Sequence, residues 1–208
     1  MTFVRCALLA GAISLGSAPA LAQDGEPDSV VYVLSPSSRF EVKTGKAGLL
    51  GFAGHTHVVR ALGFAGRVVY YPNASSESRV EIVVPADSLA VLTSSDTAEI
   101  RKVTHAMRTD VLHVDQYPVI GFVSTSVVPT VDGFHVQGRL SLAGQTREVR
   151  CDIRAVVGTD TLRATGGFSV KQTDYGIRPY RGGPAGTVRV ADRVTFSFEA
   201  VGIRSPAP

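Results

Sequence analysis

The chain has 208 residues, 44% of them hydrophobic and 19% charged, with a formal charge of +3. That length suits one domain with a substantial core. The small charge argues against a nucleic-acid partner, and no apolar run reaches the length of a membrane span.

Residues 1–22 have the three parts of an export signal. Arg5 gives a positive start, CALLAGAISLG an apolar core, and Ala20-Leu21-Ala22 a small-x-small end. The expected mature chain begins at Gln23 and is exported. Cys6 leaves with the signal, so Cys151 has no partner for an internal disulfide. A polar, acidic, flexible lead-in is expected over 23–29, a single domain over 30–203 and a tail over 204–208.

The stretch GFAGHTHVVR places His55 and His57 one residue apart. On a strand both rings leave the same face. Bulk favours the face of Leu50, Phe52, Thr56 and Val58 as the inward one, which puts both imidazoles outside or at a rim. Three readings stay open: partly exposed strand residues, contacts to a polar head group, or a zinc or copper site. A zinc site needs at least a third protein ligand. His105 and His113 are available, but no His-Glu-x-x-His, cysteine pair or acidic cluster accompanies them.

Period-two alternation dominates the rest of the chain. Val80, Ile82 and Val84 share a face, as do Phe134, Val136, Gly138, Leu140 and Leu142. So do Val149, Cys151, Ile153 and Ala155, then Leu162, Ala164, Gly166, Phe168 and Val170, then Val194, Phe196, Phe198 and Ala200. Each run reads as a strand with one apolar and one wet face, the antiparallel pattern. Turn residues at Val131-Asp132-Gly133, Ala143-Gly144-Gln145 and Gly158-Thr159-Asp160 suit hairpins. Residues 96–109 depart from the pattern. Ile100, Val103 and Met107 fall at helical spacing, with Asp96 and Glu99 placed as a capping box. These elements predict a sandwich or a barrel with one short helix. Glycines at 66, 121, 138 and 166 mark curvature or close approach of another group, and curvature suits a barrel.

The segment from Lys171 to Arg189 is long for a hairpin loop. It carries Tyr175, Arg178, Tyr180 and Arg181, which read either as a basic, aromatic rim or as a solvated connection with local charge pairs. No Gly-x-Ser-x-Gly occurs, Cys151 falls on an apolar face, and no paired carboxylates are evident. No catalysis is expected.

Four stretches resemble motifs of the YceI-like family. MRTDVLHVDQYPVIGFVST contains its Tyr-Pro-x-Ile-x-Phe strand at Tyr117, Pro118, Ile120 and Phe122. LSLAGQTREV matches its Leu-x-Leu-x-Gly-x-Thr hairpin, and FSVKQTDYGI its Asp-Tyr-Gly-Ile segment at Asp174 to Ile177. VPADSL matches a strand end at Ser88 and Leu89. The resemblance implies an all-β, lipocalin-like antiparallel barrel of about eight strands, with the helix beside it. It also implies an apolar channel for an isoprenoid, a quinone or a similar amphiphilic lipid, with no cofactor beyond that ligand. The expected channel walls are Ile82, Val84, Phe122, Leu140, Phe168, Phe196 and Phe198. The expected polar rim is His55, His57, Tyr175, Arg178 and Arg181. A metal-binding protein or metal-dependent enzyme using His55 and His57 is the alternative, and whether two copies form a homodimer stays open.

Overall fold

A computed structural model describes residues 29–46, 57–92, 97–182 and 188–206. The expected export signal, His55 and Asp96 lie outside them. The strands are β1 (Val30–Leu34), β2 (Arg39–Lys46), β3 (Val58–Ala61), β4 (Ala65–Tyr70), β5 (Arg79–Pro85) and β6 (Leu89–Val91). After helix α1 (Thr97–Ala106) come β7 (Val119–Pro129), β8 (Gly133–Leu142), β9 (Gln145–Val157), β10 (Thr161–Lys171), β11 (Arg181–Gly182) and β12 (Val188–Arg204).

Pairing is antiparallel in the order β1-β4-β5-β7-β8-β9-β10-β12, and β12 pairs back onto β1. That last pairing closes the sheet and decides for a barrel over a sandwich. The long β12 also pairs β2 along its first half, and β3 and β6 follow. Three chain runs are thus bent in the middle: β1 into β2, β3 into β4, β5 into β6. Counting each bent run once gives eight staves.

Serine hydroxyls hold two of the bends. Ser38 is buried; its Oγ donates to the Val201 carbonyl at 3.1 Å and accepts from the Val201 N–H at 2.9 Å. Ser88 Oγ lies 2.9 Å from the Gly63 carbonyl and 2.7 Å from the Pro85 carbonyl, joining the second bend to the third. Backbone groups released from the ladder at a bend need such partners, because a buried orphan costs about 1–3 kcal/mol.

The apolar faces expected for β5, β8, β9, β10 and β12 all point inward. Val136, Leu140, Val149, Leu162, Val170 and Val194 are buried. The β8–β9 turn is a two-residue hairpin with positive φ at both Ala143 (47°) and Gly144 (74°), the mirror-image turn that matches strand twist. The Tyr117 ring packs over Gly144, so two of the sequence motifs meet there.

The far end of the tube is sealed. Tyr32, Leu162, Ala164 and Ala200 form a buried cluster, and the Tyr32 hydroxyl donates to the Gly158 carbonyl at 2.7 Å. At the near end β5 and β7 stay paired as far as Pro85 and Val119, then separate as β6 turns toward β3. The helical segment covers that seam: α1 followed by one π-helical turn, Met107–Val111.

Candidate functional site: the barrel interior

The tube encloses a cavity of about 620 Å³. Ligand pockets span roughly 300–1,000 Å³. Ile82, Val84, Phe122, Leu140, Phe168, Phe196 and Phe198 all line it.

Small barrels usually fill themselves with side chains. This one keeps space because its aromatic rings lie along the wall. A Cβ on Gly138 would fall on the Phe122 ring, and one on Gly166 would sit 2.7 Å from Phe198 Cζ. Each glycine therefore vacates the inward face for a phenylalanine. Close approach of a group, not bending, explains these two positions. Phe168 and Phe196 stack flat on each other at 4.9 Å and 6°. The Phe40 ring stacks on Phe198 at 6.3 Å.

At the near end α1 lays Val103, Ala106 and Met107 against the cavity. Arg108 turns toward β6, and its Nη2 donates to the Leu89 carbonyl at 3.0 Å. Its Nε is buried without a partner among the described residues.

Polar lining includes Glu41 and Ser197 along the wall and Tyr70 and Ser78 toward the sealed end, but most of it gathers at this near end. Thr44, His57, Lys102, Gln172, Tyr180 and Arg189 contribute. Gln172 is buried, and its amide is fixed by donation from Nε2 to the Ala191 carbonyl at 2.8 Å. The His57 N–H donates to Thr44 Oγ1 at 3.1 Å.

Two sequence expectations need correction: which face of its strand His57 lies on, and the place of Tyr175. His57 lines the cavity, opposite to the parity that bulk suggested. The register decides this: Val42 pairs with Val59, and both point inward, so the residues in step with Val59 face the lumen. Ala61, on that face, is 6% exposed. His55 lies outside the described residues. Tyr175 is not on a rim. After β10 the chain enters a 3-10 turn over Gln172–Tyr175, which Gly176 ends at φ 71°. That turn folds the ring into the core among Leu140, Leu142 and Val149, leaving it 1% exposed. Burial raises the pKa of its hydroxyl, which has no hydrogen-bond partner among the described residues.

Arg178 and Arg181 are exposed and do not line the cavity. From the same loop it is Tyr180 and Arg189 that do. Thr44 escaped sequence reasoning because the strand over 39–46 is not among the predicted ones, Gln172 because it falls in the long segment that reads as a loop, and Lys102 because it is a polar residue of the helix. Only the turn after β10, the bulge between Val190 and Val194 and the helix placement bring them together.

Cys151 faces the cavity, but burial raises its pKa and its thiol stays protonated. His135 and Asp152 form a pair on the outer surface, 2.5 Å apart. Among the described residues no group of three or more His, Cys, Asp or Glu side chains gathers as a metal site.

A closed antiparallel barrel of eight staves, with one short helix beside it and an apolar lumen, is a lipocalin-like architecture. The family model described as the YceI-like domain matches residues 33–202, and the chain belongs to that family. BcnA of Burkholderia cenocepacia is similar in structure, with a TM-score of 0.65 and 17% identity over 81% of this chain and 98% of that one. A polyisoprenoid binding domain from Saccharophagus degradans, implicated in plant cell wall breakdown, gives 0.59 and 12% over 84% and 98%. The Campylobacter jejuni YCEI protein gives 0.55 and 12% over 72% and 85%. No curated protein matches.

Proposed function

We propose that the protein is an exported, non-catalytic carrier. It holds an isoprenoid, a quinone or a similar amphiphilic lipid, with the chain in the lumen and the polar head toward His57, Lys102, Gln172, Tyr180 and Arg189. The observation that carries this reading is the 620 Å³ lumen walled mainly by aliphatic and aromatic side chains, with the larger share of its polar groups toward the near end. An apolar tail gains about 0.8 kcal/mol per methylene taken from water, so a chain needs few polar contacts to stay bound. The name of the Saccharophagus degradans relative supports a polyisoprenoid as the first ligand to test. The export signal read in residues 1–22 supports a periplasmic site of action.

The test is extraction of the purified protein with organic solvent, followed by mass spectrometry. A near-stoichiometric amphiphile with a long apolar tail is the expected result. A protein that is reproducibly empty, and that takes up no long-chain prenol or quinone offered to it, would refute the proposal.

A further inference from the structure

The charges of the barrel are distributed unevenly along its axis. Lys43, Arg101, Lys171, Arg178, Arg181 and Arg193 are all exposed at the near end. None of them makes an ion pair among the described residues. Two pairs of cations stand directly opposite each other across strands: Lys171 faces Arg193, and Arg181 faces Arg189. Like charges in cross-strand register are destabilising unless something negative lies over them. The neighbouring acid, Asp192, accepts hydrogen bonds from the Thr173 N–H and hydroxyl, both at 2.9 Å, and Lys171 acts on it only as a more distant charge, outside ion-pair range. Asp174 is the other carboxylate in this turn. The near end also exposes Asp87, Asp110, Asp115, Glu148 and Asp174, fewer than its cations; at the sealed end Arg79 and Arg204 stand among Glu77, Asp132 and Asp160 in closer balance.

Among the described residues, exposed apolar groups occur at both ends, Val131 and Val156 at the sealed one, but only in the collar do they stand among unpaired cations beside the lumen. Leu92 is 41% exposed just past β6, and Tyr180 is 37% exposed beside the lumen. A tyrosine with one wet and one apolar side is suited to the headgroup layer of a bilayer.

We infer that the near end of the barrel docks on an anionic phospholipid surface, with the cationic collar over the headgroups and the polar, helix-covered end of the lumen toward the bilayer. The two like-charge pairs then receive counter-charge from lipid phosphates. Each cation brought to such a surface contributes roughly a fivefold gain in partitioning. The inference rests on the lipid-carrier reading for its choice of a bilayer over an acidic protein. A carrier that docks by this end passes its cargo without carrying the tail through water.

The experiment is co-sedimentation of the full-length mature protein with vesicles of phosphatidylcholine alone, or with roughly one-third phosphatidylglycerol. Two quadruple variants carry equal charge change. One reverses the collar: Lys43→Glu, Lys171→Glu, Arg181→Glu and Arg193→Glu. The other reverses cations elsewhere on the wall: Arg39→Glu, Arg79→Glu, Arg154→Glu and Arg163→Glu. Wild type is expected on the anionic vesicles only, released as salt rises. The collar variant should lose binding by about a hundredfold or more, at roughly fivefold per cation. The other variant should keep its binding to within about fivefold. A circular dichroism spectrum for each variant controls for folding.

Equal loss in both variants, equal binding to neutral vesicles, or no binding to either kind would overturn the inference. So would capture by an acidic polypeptide such as polyglutamate without vesicle binding. Solvent extraction of the same preparations separates the two claims. Empty protein that still sediments with anionic vesicles defeats the carrier reading alone, and loaded protein that does not sediment defeats the docking alone.

Discussion

Gly138 lies under the Phe122 ring, and Gly166 lies under Phe198. A side chain at either position has to displace a ring into the lumen or push the neighbouring strand away. Gly138→Val is therefore expected to lower both stability and lipid content. Overpacking of this kind costs about 1–3 kcal/mol. Thermal melting and the extracted lipid per mole of protein are the two measurements; a variant that keeps full cargo would show that the ring does not guard the space. The wall phenylalanines were legible from strand alternation, because a period of two assigns every second residue to one face. Tyr175 was not legible. Its neighbours Asp174 and Arg178 are polar, and only the 3-10 turn and the left-handed Gly176 reveal that the ring is turned inward. His57 failed for a related reason: its face is set by the pairing of β3 with β2, which the local string does not encode.

Among the elements, α1 is the one whose place depends least on backbone pairing. It lies across the seam where β5 and β7 part, and the Arg108 guanidinium ties it to the β6 carbonyl at Leu89. A hydrogen bond from a charged donor is worth about 1.5–3 kcal/mol. Arg108→Ala is expected to reduce hydrogen-exchange protection of residues 97–106 by roughly tenfold or more, with little change in β8 to β10. Unchanged protection in the helix would mean that its apolar face alone holds it. The helix itself was readable from Ile100, Val103 and Met107 at helical spacing. Its π-helical continuation to Val111 was not, because the extra residue per turn leaves the apolar pattern almost unaltered. Ser88 offered a motif without a mechanism; the bend it joins to Gly63 supplies one.

For the molecule as a whole, closure and cargo are thermodynamically linked. A ligand that binds only the folded tube stabilises it by mass action, about 2.7 kcal/mol at a hundredfold excess over Kd. For a domain of this size that corresponds to a melting temperature roughly 5–10 °C higher. Protein stripped by solvent or detergent and refolded should melt that much lower and recover on adding back the extracted lipid. Identical melting with and without lipid would show that the lumen is not where it resides. Barrel closure was only half visible in the sequence. Alternation specifies two-faced strands, and the choice between stacked layers and a tube is made by contacts between the first and last of them.

That contact between β1 and β12 also governs how copies of the molecule meet one another. A ribbon end with bare amide and carbonyl groups invites a neighbour to stitch itself on. Here the short β6 stops at the roof formed by α1, and the tube otherwise runs full circle. Crowded neighbours have little to fasten to, so damage to the wall should show first as lost cargo and only later as clumping.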